Sequence, residues 1–247
     1  SNPRMLIVHE VMGRSCGNRH CPTCQWHKTQ QWLAKQVERR LPCPYFLITF
    51  TVPPELQAVM RSHQRAAYEA LFQAAVGALR KLAADPKYLG TARLGLLAVL
   101  HTWGRTMNYH PHLHVLVPAG GLSEDARQWQ ASPDHFFLPV KALSVIYRAK
   151  LQHALAAAGL ADQVPAQVWH RPWIVHCQAV GNGENCLQYL ARYVYRVALT
   201  DGAILRHNAR RITVRYRDSH TGRPRTLRWR WPGSWSRFPN AACARTA

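Results

Sequence analysis

Apolar and polar positions alternate along this chain in two periods. In residues 27–41, Leu33, Val37 and Leu41 recur at four-residue steps among Lys, Gln and Arg, the pattern of a half-buried helix. Pro42 and Pro44 stop it. Tyr45 to Val52 (YFLITFTV) is β-branched and aromatic and predicts a strand. Pro53-Pro54 then opens a helical stretch to about Ala84, which Asp85-Pro86 ends. Leu94 to Trp103 and Tyr109 to Val117 read as two strands of a hairpin, with turns at Gly104–Asn108 and Pro118–Gly121. Phe136 to Val140 is expected as a short strand, followed by a helix from Ala142 to Ala158 and a strand from Trp173 to Val180. Gly181-Asn182-Gly183 leads into a helix from Glu184 to Ala198, and Ile204 to Tyr216 reads as another hairpin. Strands and helices in this order predict an α+β fold, a central antiparallel sheet with flanking helices.

Composition narrows the class. The chain has 247 residues, and 47% are hydrophobic, enough to bury a core in one large domain or a domain plus a small module. No apolar run reaches the ~20 residues of a membrane helix. The N-terminus lacks the basic, apolar and small-residue pattern of a secretory signal, and Ser1-Asn2 is not expected as a native start. Lys and Arg number 32 against 12 Asp and Glu, a formal net charge of +20. Such a field attracts polyanions: nucleic acid first, an anionic membrane second. No basic amphipathic helix with a broad apolar face supports the membrane. Arg206 to Arg230 alone holds nine Arg and one acid, Asp218. Of seven Cys, three (Cys16, Cys21 and Cys24) fall within nine residues, a spacing for metal rather than disulfides.

The second strand of the hairpin reads His110-Pro111-His112-Leu113-His114. Alternation puts His112 and His114 on one face and Leu113 on the other. Two imidazoles so placed can chelate one divalent cation, although core or surface histidines have the same spacing. No Asp or Glu lies between Asp85 and Glu124 to serve as a further ligand. His101, on the partner strand, is within cross-strand reach. Three His ligands would leave positions open for water and substrate. His110 shares the face and is an alternative ligand, or a substrate-side or structural histidine.

Residues 188–196 read Gln-Tyr-Leu-Ala-Arg-Tyr-Val-Tyr-Arg. On a helix, Tyr189 and Tyr193 share a face and Arg192 and Arg196 form a second four-spaced pair beside them. Phenols next to guanidinium groups suit phosphate chemistry; paired Tyr at this spacing also serve as ordinary packing.

His-hydrophobic-His followed by Tyr-x-x-x-Tyr on a later helix resembles the HUH single-strand endonuclease superfamily. The wording of SCGNRHCPTCQ (15–25), YFLITFTVP (45–53), AVLHTWGRTMNYHPHLHVLVPAGGLS (98–123), FFLPVK (136–141) and YLARYVYRVAL (189–199) resembles its two-tyrosine rolling-circle insertion-sequence transposases, of the IS ninety-one type. The resemblance runs over residues 15–220, with Arg215-Tyr216-Arg217-Asp218 in its last segment. It implies a ferredoxin-like HUH nuclease core in which His112, His114 and a third ligand hold Mg²⁺ or Mn²⁺ against a scissile phosphate of single-stranded DNA, at transposon ends and target. Tyr189 and Tyr193 are the implied nucleophiles, one attacking to leave a 5′-phosphotyrosine and a free 3′-OH, the other accepting the second strand end. A phenol titrates near ~10, so Arg192 or the metal would assist its ionisation. Arg192, Arg196 and His110 are the implied phosphate contacts. The implied setting is the bacterial cytoplasm at the nucleoid. A rolling-circle replication initiator or relaxase shares this chemistry, and a catalytically dead, zinc-dependent DNA-binding remnant is a rival of another class.

The same family carries an N-terminal zinc ribbon, and Cys16, Cys21 and Cys24 match its second half. A closed zinc site takes four ligands; the expected upstream Cys pair is missing, so the set is either incomplete or completed by His9, His20 or His27. The resulting division is a partial zinc-ribbon-like module at 1–26, a helical linker at 27–44, a catalytic domain at 45–220 and a divergent basic tail at 221–247. The tail is expected to be either a frameshifted end or an Arg- and Trp-rich DNA-binding segment.

Overall fold

A computed structural model describes residues 22–103, 108–133, 135–194, 204–207, 211–217, 221–230 and 244–246. Cys16, Cys21, His9, His20, Tyr195 and Arg196 lie outside the described residues. The elements are α1 (Pro22–Glu38), β1 (Tyr45–Thr51), α2 (Gln57–Ser62), α3 (Gln64–Ala83), β2 (Leu97–Trp103), β3 (Tyr109–Pro118), β4 (Gly120–Leu122), β5 (Trp129–Ala131), α4 (Val140–Ala157), β6 (Val175–Ala179), α5 (Glu184–Val194), β7 (Ile204–His207), β8 (Arg211–Arg217), β9 (Pro224–Arg230) and β10 (Ala244–Thr246).

Five strands form the central sheet in the order β10-β2-β3-β1-β6, with every neighbouring pair antiparallel. The alternation within its strands sends side chains into two separate cores. Phe46, Ile48 and Phe50 of β1, Leu100 of β2, and Leu113, Val115 and Val117 of β3 pack against α3 and α4 in the larger one. Tyr45 and Leu47 of β1, Leu97 and Val99 of β2, and Leu116 of β3 point the other way, onto Leu187, Leu190 and Val194 of α5, with Leu33 and Val37 of α1 beside them. The fold class expected from the sequence is therefore the one observed.

Several local expectations change. The helix expected from residue 27 begins at Pro22 and so contains Cys24. The single helix expected after Pro53-Pro54 breaks at His63, whose φ of −120° and ψ of 47° are not helical. Phe136–Pro139 forms no strand; Phe137 and Leu138 are both buried in succession, which a half-buried strand cannot achieve, and Phe137 stacks on Phe46 with centroids 5.4 Å apart. Helix α4 starts directly afterwards. The small β4–β5 ribbon has no counterpart among the expected elements. The hairpin at 204–216 gains a third strand, because β9 pairs with β8 from Arg211↔Arg230 to Arg217↔Pro224. The start of the expected tail is thus part of a sheet. Among the described residues, no helix is long and apolar enough to cross a membrane.

Candidate metal and tyrosine site

The second face of the sheet changes character along its length. At one end it is apolar, with Tyr45, Leu47, Leu97 and Leu116. Towards the other end the same alternating rows continue into Thr49 and Thr51 of β1, His101 of β2, and His112 and His114 of β3. The register sets these side by side: Thr49 opposite His114, Thr51 opposite His112, and His101 opposite His112. A bulge follows His101, between it and Trp103.

His101, His112 and His114 thus converge. One ring nitrogen from each lies within 4.8 Å of the other two. His101 and His114 are buried, and the three ring centroids are 4.3 to 5.0 Å apart. Two hydrogen bonds orient the rings. His112 Nδ1 donates to the His110 carbonyl at 2.8 Å, which fixes the proton on Nδ1 and leaves a lone pair on Nε2. His114 Nδ1 lies 2.9 Å from the Thr49 hydroxyl. Among the described residues, Nε2 of His101 is buried without a hydrogen-bond partner.

The electrostatics agree with three neutral imidazoles. Burial, reinforced by the neighbouring rings His114 and His112, pushes His101 down to about 2. Burial and His112 bring His114 down to about 3. Burial likewise lowers His112, opposed by its bond to His110. Neutral imidazole is the form that binds metal. A buried, unpartnered ring nitrogen facing two oriented histidines fits a divalent ion, and three protein ligands leave coordination positions open.

His110 does not join this cluster. Its ring is 5.3 Å from that of His112, and its Nδ1 lies 3.5 Å from Gln57 Nε2 of α2. Thr49 is a site residue that the sequence pattern does not single out. Its signal is non-local, because only the β1–β3 register places it against His114.

Helix α5 covers the cluster. It buries Cys186, Leu187, Leu190, Ala191 and Val194, and this stripe fixes its rotation. Tyr189 and Tyr193 are therefore turned to the sheet at the histidine end. The Tyr193 ring stacks on His101 with centroids 3.9 Å apart and 28° between planes. Tyr189 lies 6.0 Å from His114, 6.2 Å from His101 and 5.1 Å from Tyr193, by centroids. Arg192 is exposed. The helix start is held by the Asn182 side chain, which accepts from the Glu184 backbone N–H at 3.1 Å. Arg40, just past α1, donates to the Asn182 carbonyl at 3.0 Å and lies 3.6 Å from Glu184.

A histidine triad on an antiparallel sheet, capped by a two-tyrosine helix, defines a candidate metal-assisted phosphoryl-transfer centre. Residues 95–231 match the family described as "Putative transposase" (Y2_Tnp), and residues 8–52 match the transposase zinc-binding domain. The chain belongs to this transposase family, and the resemblance to insertion-sequence transposases is borne out. The first match covers His101, His112, His114, Tyr189 and Tyr193, and runs past Arg225 through the whole of β9; the second covers all three clustered cysteines.

Two curated relatives are similar over most of the chain. "Putative transposase y4qJ" of Sinorhizobium fredii is 36% identical over 227 residues, 84% of this chain and 57% of the relative. The transposase for insertion sequence element IS801 of Pseudomonas savastanoi pv. phaseolicola is 30% identical over 219 residues, 82% of this chain and 51% of the relative. The chain spans about half the length of these relatives. Among solved structures, the conjugative relaxase TrwC in complex with oriT DNA, copper-bound, is similar at 22% identity and a TM-score of 0.34, over 45% of this chain and 42% of that one.

Proposed function

We propose that the chain is the catalytic part of a rolling-circle transposase that nicks single-stranded DNA and transfers the strand through a tyrosine. The observation that carries this reading is the convergence of two phenols and three neutral imidazoles on one end of one sheet face. Tyr189 and Tyr193 are the proposed nucleophiles. The phenolic oxygen of one attacks the phosphorus and the P–O3′ bond breaks. The products are a 5′-phosphotyrosine and a 3′-hydroxyl that takes up the proton the phenol gives up. The new ester conserves the energy of the phosphodiester, so rejoining needs no ATP. The second phenol would accept a second strand end.

His101, His112 and His114 are the proposed metal ligands. A divalent ion held there supplies Lewis-acid polarisation of the phosphoryl oxygen and orients the phosphate. Thr49 and the His110 carbonyl fix the rings that would face it. Three imidazoles without a carboxylate are a poor set for Mg²⁺ and a better one for first-row divalent ions; of the two ions expected, Mn²⁺ suits the donors better. We assign Cys16, Cys21 and Cys24 to a structural zinc site and Arg192, Arg196 and His110 to phosphate contacts. Residues 45–220 form the proposed catalytic domain, acting on DNA in the bacterial cytoplasm.

The test is an adduct assay. Purified protein with Mn²⁺ is incubated with a panel of single-stranded oligonucleotides that includes transposon-end sequences, and a covalent protein–DNA species is sought on a denaturing gel. Its formation, its loss with chelator and its loss in a Tyr189→Phe/Tyr193→Phe double variant are expected. No adduct on any sequence overturns the reading for this chain, and an adduct that persists in the double variant overturns the nucleophile assignment.

A further inference from the structure

The β7–β8–β9 sheet has one arginine face. Its register places Arg206 opposite Thr213, Thr213 opposite Arg228, and Arg215 opposite Thr226. Residues two apart on a strand share a face. Arg206, Arg211, Arg215 and Arg228 therefore line one side of a three-stranded sheet, interspersed with Thr213 and Thr226. All four arginines are exposed. The other side carries Val214, only 1% exposed, Tyr216 and Leu227, partly covered, and a single exposed arginine among its described side chains, Arg225, opposite Tyr216. The three strands contain no Asp or Glu. Thr213 separates Arg206 from Arg228 and Thr226 faces Arg215, whereas Arg211 is paired opposite Arg230.

We propose that this face docks duplex DNA through its phosphates. The inference rests on the reading above that the chain works on DNA. Charge complementarity selects a polyanion, because four exposed guanidinium groups and two hydroxyls on one surface are the groups that bind phosphate oxygens. No aromatic residue stands among these arginines and threonines, and that selects the duplex. Single-strand grooves stack bases on aromatic rings, whereas Tyr216 stands on the opposite side of this sheet. The surface grips backbone without reading bases, and so holds duplex of any sequence. It follows the tyrosine helix in the chain, and the division of labour is that α5 and the histidines act on the unpaired strand while this sheet holds paired DNA.

The experiment compares the wild-type chain with an Arg206→Gln/Arg211→Gln/Arg215→Gln/Arg228→Gln variant and the corresponding Arg→Lys variant. Binding of a fluorescent duplex of about 20 base pairs and a single strand of equal length is measured by anisotropy across salt concentrations. Each lost phosphate contact lowers the slope of log K against log salt by about 0.9. The Gln variant is expected to lose about 3–4 in slope and at least about tenfold in duplex affinity, with single-strand binding changed much less. The Lys variant, which retains the charge, is expected to keep the wild-type slope and so separates charge loss from misfolding. A Gln variant with the wild-type slope overturns the proposal, as does a loss confined to single strands or an equal loss in the Lys variant. The adduct assay is independent: absence of an adduct with a normal arginine-dependent slope rejects nicking and leaves the docking face standing.

Discussion

The Thr49 hydroxyl lies 2.9 Å from Nδ1 of His114, across the β1–β3 pairing that sets the two residues opposite each other. When the ring donates Nδ1–H to that oxygen, Nε2 is left with its lone pair. Outer hydrogen bonds of this kind are worth about 10–100-fold in metal affinity. Thr49→Val keeps the shape and removes the hydroxyl. It is expected to weaken Mn²⁺ binding by about that factor, while Thr49→Ser retains it. Titration calorimetry decides the matter; equal affinity in Thr49→Val and wild type would show that the hydroxyl does not orient the ring.

His101 is a second case in which binding and stability pull apart. Its Nε2 is buried without a partner among the described residues, and an unsatisfied buried polar group costs about 1–3 kcal/mol. His101→Leu removes that group at similar volume. The metal-free variant is expected to melt higher than wild type, by about 2–4 °C for each kcal/mol recovered. Added Mn²⁺ should then raise the melting temperature of wild type and leave that of the variant unchanged. A variant still stabilised by Mn²⁺ would remove His101 from the ligand set.

The three histidines also set a direction for acid stability. An unfolded histidine takes its proton near ~6.5, whereas His101 in the fold does so only at about 2 and His114 at about 3. Between these values the unfolded chain binds more protons, so stability falls as pH falls. The contribution is complete above about 6.5 and declines steadily below it. Calorimetric melting of the metal-free protein is expected to be level from about pH 7 to 8 on this account and to drop towards about pH 4. Other groups titrate in that range too, so the discriminating quantity is the difference from His101→Leu, which should grow as pH falls.

The site was legible in the sequence where local pattern and register coincide. Alternation in β3 put His112 and His114 on one face, the hairpin brought His101 across, and the four-residue spacing paired Tyr189 with Tyr193. What escaped depends on distant partners. Thr49 reads as an ordinary β-branched strand residue until β1 is paired with β3. Phe136–Val140 has strand composition, yet Phe137 fits against Phe46 and the segment runs as a loop into α4. His110 has the same parity as His112 and His114, but it lies one step farther along the strand, towards Gln57. The break at His63 between α2 and α3 has no local glycine or proline to announce it.

The turn before α5 gives a test of how the tyrosines are placed. Gly183 has a φ of +78°, and a Cβ there would come 3.0 Å from the Tyr45 ring. Gly159 is also left-handed, at +70°, but a Cβ there would meet nothing within 4 Å among the described residues. An L-residue in this region costs about 1–2 kcal/mol. Gly159→Ala should show that cost alone. Gly183→Ala adds a contact with a buried ring whose hydroxyl is held by the Leu41 backbone N–H at 2.8 Å, so the ring cannot swing away freely. The expected result is a larger fall in melting temperature for Gly183→Ala than for Gly159→Ala. Because Gly183 immediately precedes α5, its substitution should also slow adduct formation through Tyr189 and Tyr193, while Gly159→Ala leaves the rate near wild type. Equal losses of stability in the two variants would mean that the turn yields, and that Tyr45 does not fix where the tyrosine helix begins.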